Sequence, residues 1–342
     1  MGFNWRPHFD PTEVKRELQI IRDDLHCNAV RISGQDFGRL TLASRAALDV
    51  GLEVWFYPIW WDRSPQETLG YFVKGAKAAQ DLSQSAQDKV VFVMGGELTL
   101  FMKGILQGRN FRTRLANPGM LARVKAGEHN KPLNDFLAKA AVAVRSVYQG
   151  RLTYASLVWE QVDWTPFDFI GVDHYRTTKM GDTYVEMLQP AFSHGKPVVV
   201  TEFGQATTHG GIGEEGLLKS TAGLEESIIN VGSQFLHYRI PLLGRFVKPR
   251  LNGNHVRDEV WQAQELVRTL GILDAAGVEG AFISQFMSQI SPYSDDPRHD
   301  LDMASSTLVK YYEGGRKGTT YPDMPWEPKE SFKAVASYYA AH

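Results

Sequence analysis

Short apolar runs alternate with amphipathic stretches along most of the chain. Thr12–His26 predicts a helix, because Val14, Leu18, Ile21 and Leu25 recur at three- and four-residue spacing behind Pro11 and Thr12. Asn28–Ser33 reads as a strand. A helix over Arg39–Val50 stops at Gly51, where a C-cap is expected. The same reading gives a strand at Leu52–Ile59, a helix at Pro65–Ser83 and a strand at Lys89–Gly95. A helix at Leu133–Tyr148 and strands at Leu152–Leu157, Asp168–Tyr175 and Pro197–Phe203 follow, then a long helix at Val256–Ala276 and a strand at Val278–Phe286.

With Gly2–Trp5 as the first strand the count is eight, and helices separate most of them. Runs such as Val90-Val91-Phe92-Val93-Met94 and Pro197-Val198-Val199-Val200 are apolar throughout, as strands covered on their outer face by helices must be. Eight such units predict an α/β fold, a (β/α)8 TIM barrel formed by residues 1–342 as one domain. A doubly wound sheet is the competitor, but no G-x-G-x-x-G stands at a strand–helix junction. Two places break the rhythm. Trp159–Pro166 leaves room for one turn between strands five and six. Gly204–His255 is far too long for a plain loop and reads as an insertion with a helix at Glu214–Tyr238, serving as a fold elaboration, a contact between copies or a lid.

Composition narrows the partners. Among 342 residues, 37 Lys and Arg offset 39 Asp and Glu, so a charge of −2 argues against nucleic acid or an anionic membrane as partner. One cysteine, Cys27, excludes an internal disulfide framework. The start Met1–Pro7 lacks an apolar signal region, and no apolar run approaches the roughly 18 residues of a membrane span, so a cytoplasmic setting is expected. There is no H-E-x-x-H, G-x-S-x-G or Walker lysine motif, and no metal or organic cofactor is expected. The acidic run Asp295–Asp302 lacks Ca-loop spacing and predicts an ion-pair cluster around Arg298.

Barrel enzymes carry their chemistry at the C-terminal ends of the strands. There, strand four ends Met94-Gly95-Gly96-Glu97 and strand seven ends Val200-Thr201-Glu202. A carboxylate after several apolar residues needs partners or a task. Either glutamate alone fits a helix cap or a loop ion pair. Together they meet the requirement of glycoside hydrolysis, one carboxyl to protonate the leaving oxygen and one to attack or activate water. Arg31, inside the apolar run Val30-Arg31-Ile32, needs a carboxylate, and Glu202 is the candidate. Asp173 and Tyr175 share a strand face, so Tyr175 is placed to donate to a nucleophilic carboxylate; His174 falls on the other face, one step removed from the ligand. Asn4, Trp5, Trp60, Trp61, Trp159 and Gln285 complete the candidate substrate contacts, the indoles because their faces stack on the C–H faces of sugar rings.

Taken together, Gly2-Phe3-Asn4-Trp5, Asn28-Ala29-Val30-Arg31, Gly95-Gly96-Glu97-Leu98, Ile170–Tyr175 and Gly195–Gly204 resemble the clan of retaining (β/α)8 glycoside hydrolases, β-mannanase-like sequences above all. The resemblance implies Glu97 as acid/base, Glu202 as nucleophile, Tyr175 as its hydrogen-bond partner and Arg31 as its support. It implies a small oligosaccharide or glycoside as substrate. Asp296–Ser305 also resembles bacterial proteins labelled abortive-infection proteins, a label that fixes no chemistry. Two positions depart from the clan: Gly96 stands where most members have Asn, and Ile283-Ser284-Gln285-Phe286 lacks the usual strand-eight Trp. The expected activity is hydrolysis with retention. The alternatives are a non-hydrolytic biosynthetic step on the same barrel, or a non-catalytic sugar-binding barrel.

Overall fold

Seven parallel strands in consecutive order form a nearly closed barrel in the computed structural model: β1 Ala29–Gly34, β2 Glu53–Pro58, β3 Val90–Gly96, β4 Arg151–Leu157, β5 Ile170–Asp173, β6 Val198–Phe203 and β7 Gly280–Ile283. The structure describes residues 4–86, 88–177, 180–181, 183–208, 228–230, 233, 237 and 247–342. Helices α1 Pro11–Asp23, α2 Phe37–Asp49, α3 Pro65–Ser83, α4 Leu98–Phe101, α5 Phe111–Leu115, α6 Met120–Lys125 and α7 Asn130–Arg145 fall within the first half. They are followed by α8 Thr183–Glu186, α9 Gln189–Phe192, α10 Glu259–Ala275 and α11 Glu330–Ala341.

Local chemistry sets these boundaries. The Asp10 carboxylate accepts from the Thr12 and Glu13 N–H groups and starts α1 at Pro11. Ser64 and Glu67 form a reciprocal capping box at the head of α3. Two apolar layers follow from strand alternation. Residues such as Val54, Phe56, Phe92 and Val200 pack outward against the helices. Trp55, Val91, Val93, Ala155 and Val199, with Phe169 and Phe282, fill the barrel's interior. The C-terminal ends of the strands lie beyond that packed floor.

Three expectations need correction. The expected first strand is only partly described: Gly2 and Phe3 lie outside the described residues, and Asn4 and Trp5 are not in a strand. Asn4 Oδ1 accepts from the Arg6 N–H in a local turn, while the Trp5 carbonyl accepts from Gln289, so the segment is tied to the loop after β7. Among the described residues the sheet has seven strands, where eight were expected. The Trp159–Pro166 linker has two hydrogen-bonded turns rather than one, Leu157–Glu160 and Trp164–Phe167, on either side of an irregular stretch. Asn130 and Asn134, one turn apart on α7, hold its backbone by accepting from Gln161 and Asp163 and donating to the Gln161 carbonyl. The acidic run does form an ion-pair cluster, but its cations are Arg257 and Lys329, with Arg316 on Asp295, rather than Arg298. The expected helix Glu214–Tyr238 lies almost wholly outside the described residues, as does most of Gly204–His255. Sequence periodicity also overlooked the C-terminal ribbon, β8 Val309–Tyr311 paired with β9 Trp326–Pro328, and α11 behind it.

The acidic cluster ties three parts of the chain together. Lys329, fully buried after β9, donates to Asp302 at 2.8 Å and to Thr207 beyond β6. Arg257 reaches Asp300 and Asp302 at 2.7 and 2.8 Å. Replacing Asp302 by Asn would leave the Lys329 ammonium buried without its counter-charge. The expected loss is roughly 3 to 5 kcal/mol of unfolding free energy in urea; a loss below about 1 kcal/mol would show that the cluster is dispensable.

Candidate active site

The strand ladders break register at their C-terminal ends, between Val93 and Gly96, between Val172 and Asp173, and between Val200 and Phe203. Such bulges re-aim side chains at a barrel rim. They set Asp173 beside Glu202 on neighbouring strands and deliver Glu97 at the end of β3. Glu97 has left-handed backbone dihedrals, φ 49° and ψ 38°, a conformation that costs a non-glycine residue about 1–3 kcal/mol. Its N–H is anchored on the Ala155 carbonyl at 2.8 Å. The two glycines before it are required by space: a Cβ on Gly95 would stand 2.6 Å from the Phe72 ring, and one on Gly96 2.4 Å from the Tyr57 hydroxyl.

One cavity of about 1390 Å³ gathers these groups. Arg31, from β1, forms an ion pair with Glu202 and lies 4.0 Å from Asp173. The Tyr175 hydroxyl donates to the second Glu202 oxygen at 3.0 Å. Thr201 Oγ1 donates to Asp173 at 2.6 Å. Two carboxyl groups thus flank one buried guanidinium, and Glu97 lines the same cavity. Burial, then the charges of Asp173, Glu202 and Glu160, push the Glu97 carboxyl well above the usual carboxylate range. Burial and the Glu202 charge push Asp173 up to about 8 against the opposing pull of Arg31. Glu202 holds the direct ion pair, so the site contains a neutral carboxylic acid and a paired carboxylate on strands three apart in the sheet. That combination can protonate one atom of a ligand and attack another.

The other sequence candidates divide. Asn4, Trp5, Trp61 and Gln285 line the cavity. Trp61 stacks on Phe101 with ring centroids 4.3 Å apart and planes 9° from parallel, and Phe111 closes against both. His174, Trp60 and Trp159 do not reach the cavity. His174 is buried against Tyr184, stacked at 4.1 Å and hydrogen-bonded to the Tyr184 carbonyl, because its parity on β5 turns it outward. Trp60 packs on Tyr71 and Arg63. Trp159 meets His129 edge-on in a separate apolar cluster behind the loop. Sequence reasoning missed Tyr57, Thr201, Phe101 and Phe111, all at the cavity wall. Tyr57 was legible in principle, since it shares a face of β2 with the interior Trp55.

No protein-family model matches the chain, and no curated protein matches its sequence. Solved structures do match in fold. A GH113 β-1,4-mannanase superposes with a TM-score of 0.57 at 13% identity, covering 96% of this chain and 93% of its own. The GH113 β-mannanase AaManA from Alicyclobacillus acidocaldarius gives a TM-score of 0.53 at 12% identity, over 96% and 91%. The β-glycosidase BGL167 gives 0.50 at 12% identity, over 97% and 86%. The chain is therefore a TIM barrel of the kind these glycosidases share.

The buried acid has a measurable consequence. In the native chain Asp173 keeps its proton up to about pH 8, whereas an unfolded Asp releases it near pH 4. Between those values the native state holds the extra proton, so this group's contribution to stability declines as pH rises. Asp173→Asn is expected to gain progressively on the wild type from pH 5 to pH 8 in urea unfolding. A difference that does not change with pH would mean that Asp173 is ionised in the folded protein.

Proposed function

We propose that the protein is a retaining glycoside hydrolase with Glu202 as nucleophile and Glu97 as acid/base. The observation that carries this reading is the pair of contacts on Glu202, from Arg31 and from the Tyr175 hydroxyl, in a cavity that also holds the buried Glu97. Arg31 and Tyr175 keep the Glu202 oxygens aimed for attack on an anomeric carbon. Glu97, protonated by its burial and its anionic neighbours, gives its proton to the glycosidic oxygen as that bond breaks. The glycosyl group then rests as an ester on Glu202. Glu97, now a carboxylate, takes a proton from water, whose oxygen attacks the anomeric carbon and frees Glu202.

Trp61 stands on the loop after β2 and Phe101 at the end of α4, just after Glu97, the side on which the leaving group departs in this scheme. The substrate class is a small glycoside or oligosaccharide with a β-linked pyranoside. The β-mannanases that share the fold make aryl β-mannosides the first to try.

The test is aryl release from a panel of activated aryl β-glycosides, with the product anomer read by proton NMR before mutarotation. The wild type should release the aryl group with retention, and Glu202→Gln should be inactive while folded. Glu97→Gln should lose about 10²- to 10⁴-fold in kcat/KM on poor leaving groups, with a smaller loss on nitrophenyl glycosides. Silence of the folded wild type across the panel, or an inverted product, would contradict the reading.

A further inference from the structure

We propose that the Tyr57 hydroxyl is a substrate contact of this site, taking the hydroxyl group on the ring carbon next to the reacting anomeric carbon. The inference rests on the glycosidase reading and adds a residue to it.

Tyr57 stands on β2, between the strand that carries Arg31 and the strand that ends in Glu97. Its ring is 6% exposed and lies under the Arg31 guanidinium, 4.8 Å from carbon to ring centre. Its hydroxyl lies against Gly96, the residue before Glu97, so the oxygen sits at the carboxyl-bearing end of the barrel rather than at the floor. The neighbouring strand makes room for it. Gly96 lacks a side chain where a Cβ would stand 2.4 Å from that oxygen and 3.1 Å from the Ala155 Cβ. Among the described residues no protein group hydrogen-bonds the hydroxyl, and Tyr57 lines the cavity. A phenol held this rigidly beside the reacting groups, with its donor and acceptor capacity unspent, is set for a ligand.

The chemistry of a glycoside identifies the ligand atom. In the proposed mechanism the anomeric carbon lies between Glu202 and Glu97, and its ring neighbours are the ring oxygen and C2. The ring oxygen gains positive charge in the oxocarbenium-like transition state and is then a poor acceptor for a phenol O–H. The C2 hydroxyl both donates and accepts, and hydrogen bonds to it strengthen in that transition state. Tyr57 therefore reads C2.

Isofagomine lacks a hydroxyl at the position equivalent to C2, and noeuromycin differs from it by carrying one, so calorimetric titration of the whole chain with each isolates this contact without requiring turnover. The wild type should bind noeuromycin more tightly, and Tyr57→Phe should weaken noeuromycin about 5- to 10-fold, the worth of one neutral hydrogen bond, while changing isofagomine less than about 2-fold. Gly96→Ala, which displaces the hydroxyl, should reproduce that selective loss. Equal weakening of both ligands, or no weakening, would overturn the role of Tyr57 while leaving the glycosidase reading in place. Failure of both ligands to bind the folded wild type would overturn the glycosidase reading, and the Tyr57 assignment with it.

Discussion

A single guanidinium organises the open end of this barrel. Arg31 sits in an apolar strand with its side chain 10% exposed, and must be neutralised where it lies. Glu202 supplies the direct contact, with Asp173 at 4.0 Å. Once that pair is made, one positive charge has been used, and Glu97 and Asp173 remain in a buried setting with no cation of their own among the described residues. Protonation is the cheaper state for both. A division of labour between a charged and a neutral carboxyl thus follows from the number of cations in the barrel as much as from the position of any one acid.

The scaffold spends local irregularity to reach that arrangement. Strands of unbroken register would alternate inward and outward to their ends; the bulges interrupt this and bring Asp173 level with Glu202. Glu97 turns through a left-handed residue, held by the Ala155 carbonyl and flanked by two glycines that a side chain would drive into Phe72 and Tyr57. Loops around the rim are pinned by buried polar anchors. Arg114 bonds Asp62 and the carbonyls of Leu100 and Gly108, and Glu160 accepts from Tyr154, Thr99 and Leu157. Glu160, like Glu97, is a buried glutamate near the rim, but its partners are all protein groups, which separates it in kind from Glu97.

Much of this was legible in the sequence, and the exceptions have physical causes. Continuous apolar strands and capped helices are local signals, so β1 to β7 and the long helices fall where periodicity put them. Glu97 and Glu202 stood out as charges at the ends of apolar runs, and Arg31 as a cation needing one of them. Parity placed Asp173 and Tyr175 inside and turned His174 out. The indoles were harder. Trp60 and Trp61 are adjacent on one loop, and only the three-dimensional path sends one to Tyr71 and the other to the cavity. Tyr57 was overlooked because its role depends on space left by Gly96 on the next strand, a relation that no single segment records. The N-terminal strand was read from four residues, too short a run to reveal that Trp5 bonds to a loop instead.

A retaining mechanism requires Glu202 to form a covalent bond to the sugar. Incubation with an activated 2-deoxy-2-fluoro glycoside, whose fluorine slows formation of the intermediate and its breakdown further, followed by mass spectrometry of the digested protein, tests it directly. One added fluoroglycosyl group is expected on the peptide that carries Glu202, and none on the Glu202→Gln variant. A label on a different residue, or turnover of the parent glycoside with no covalent species under these conditions, would contradict it.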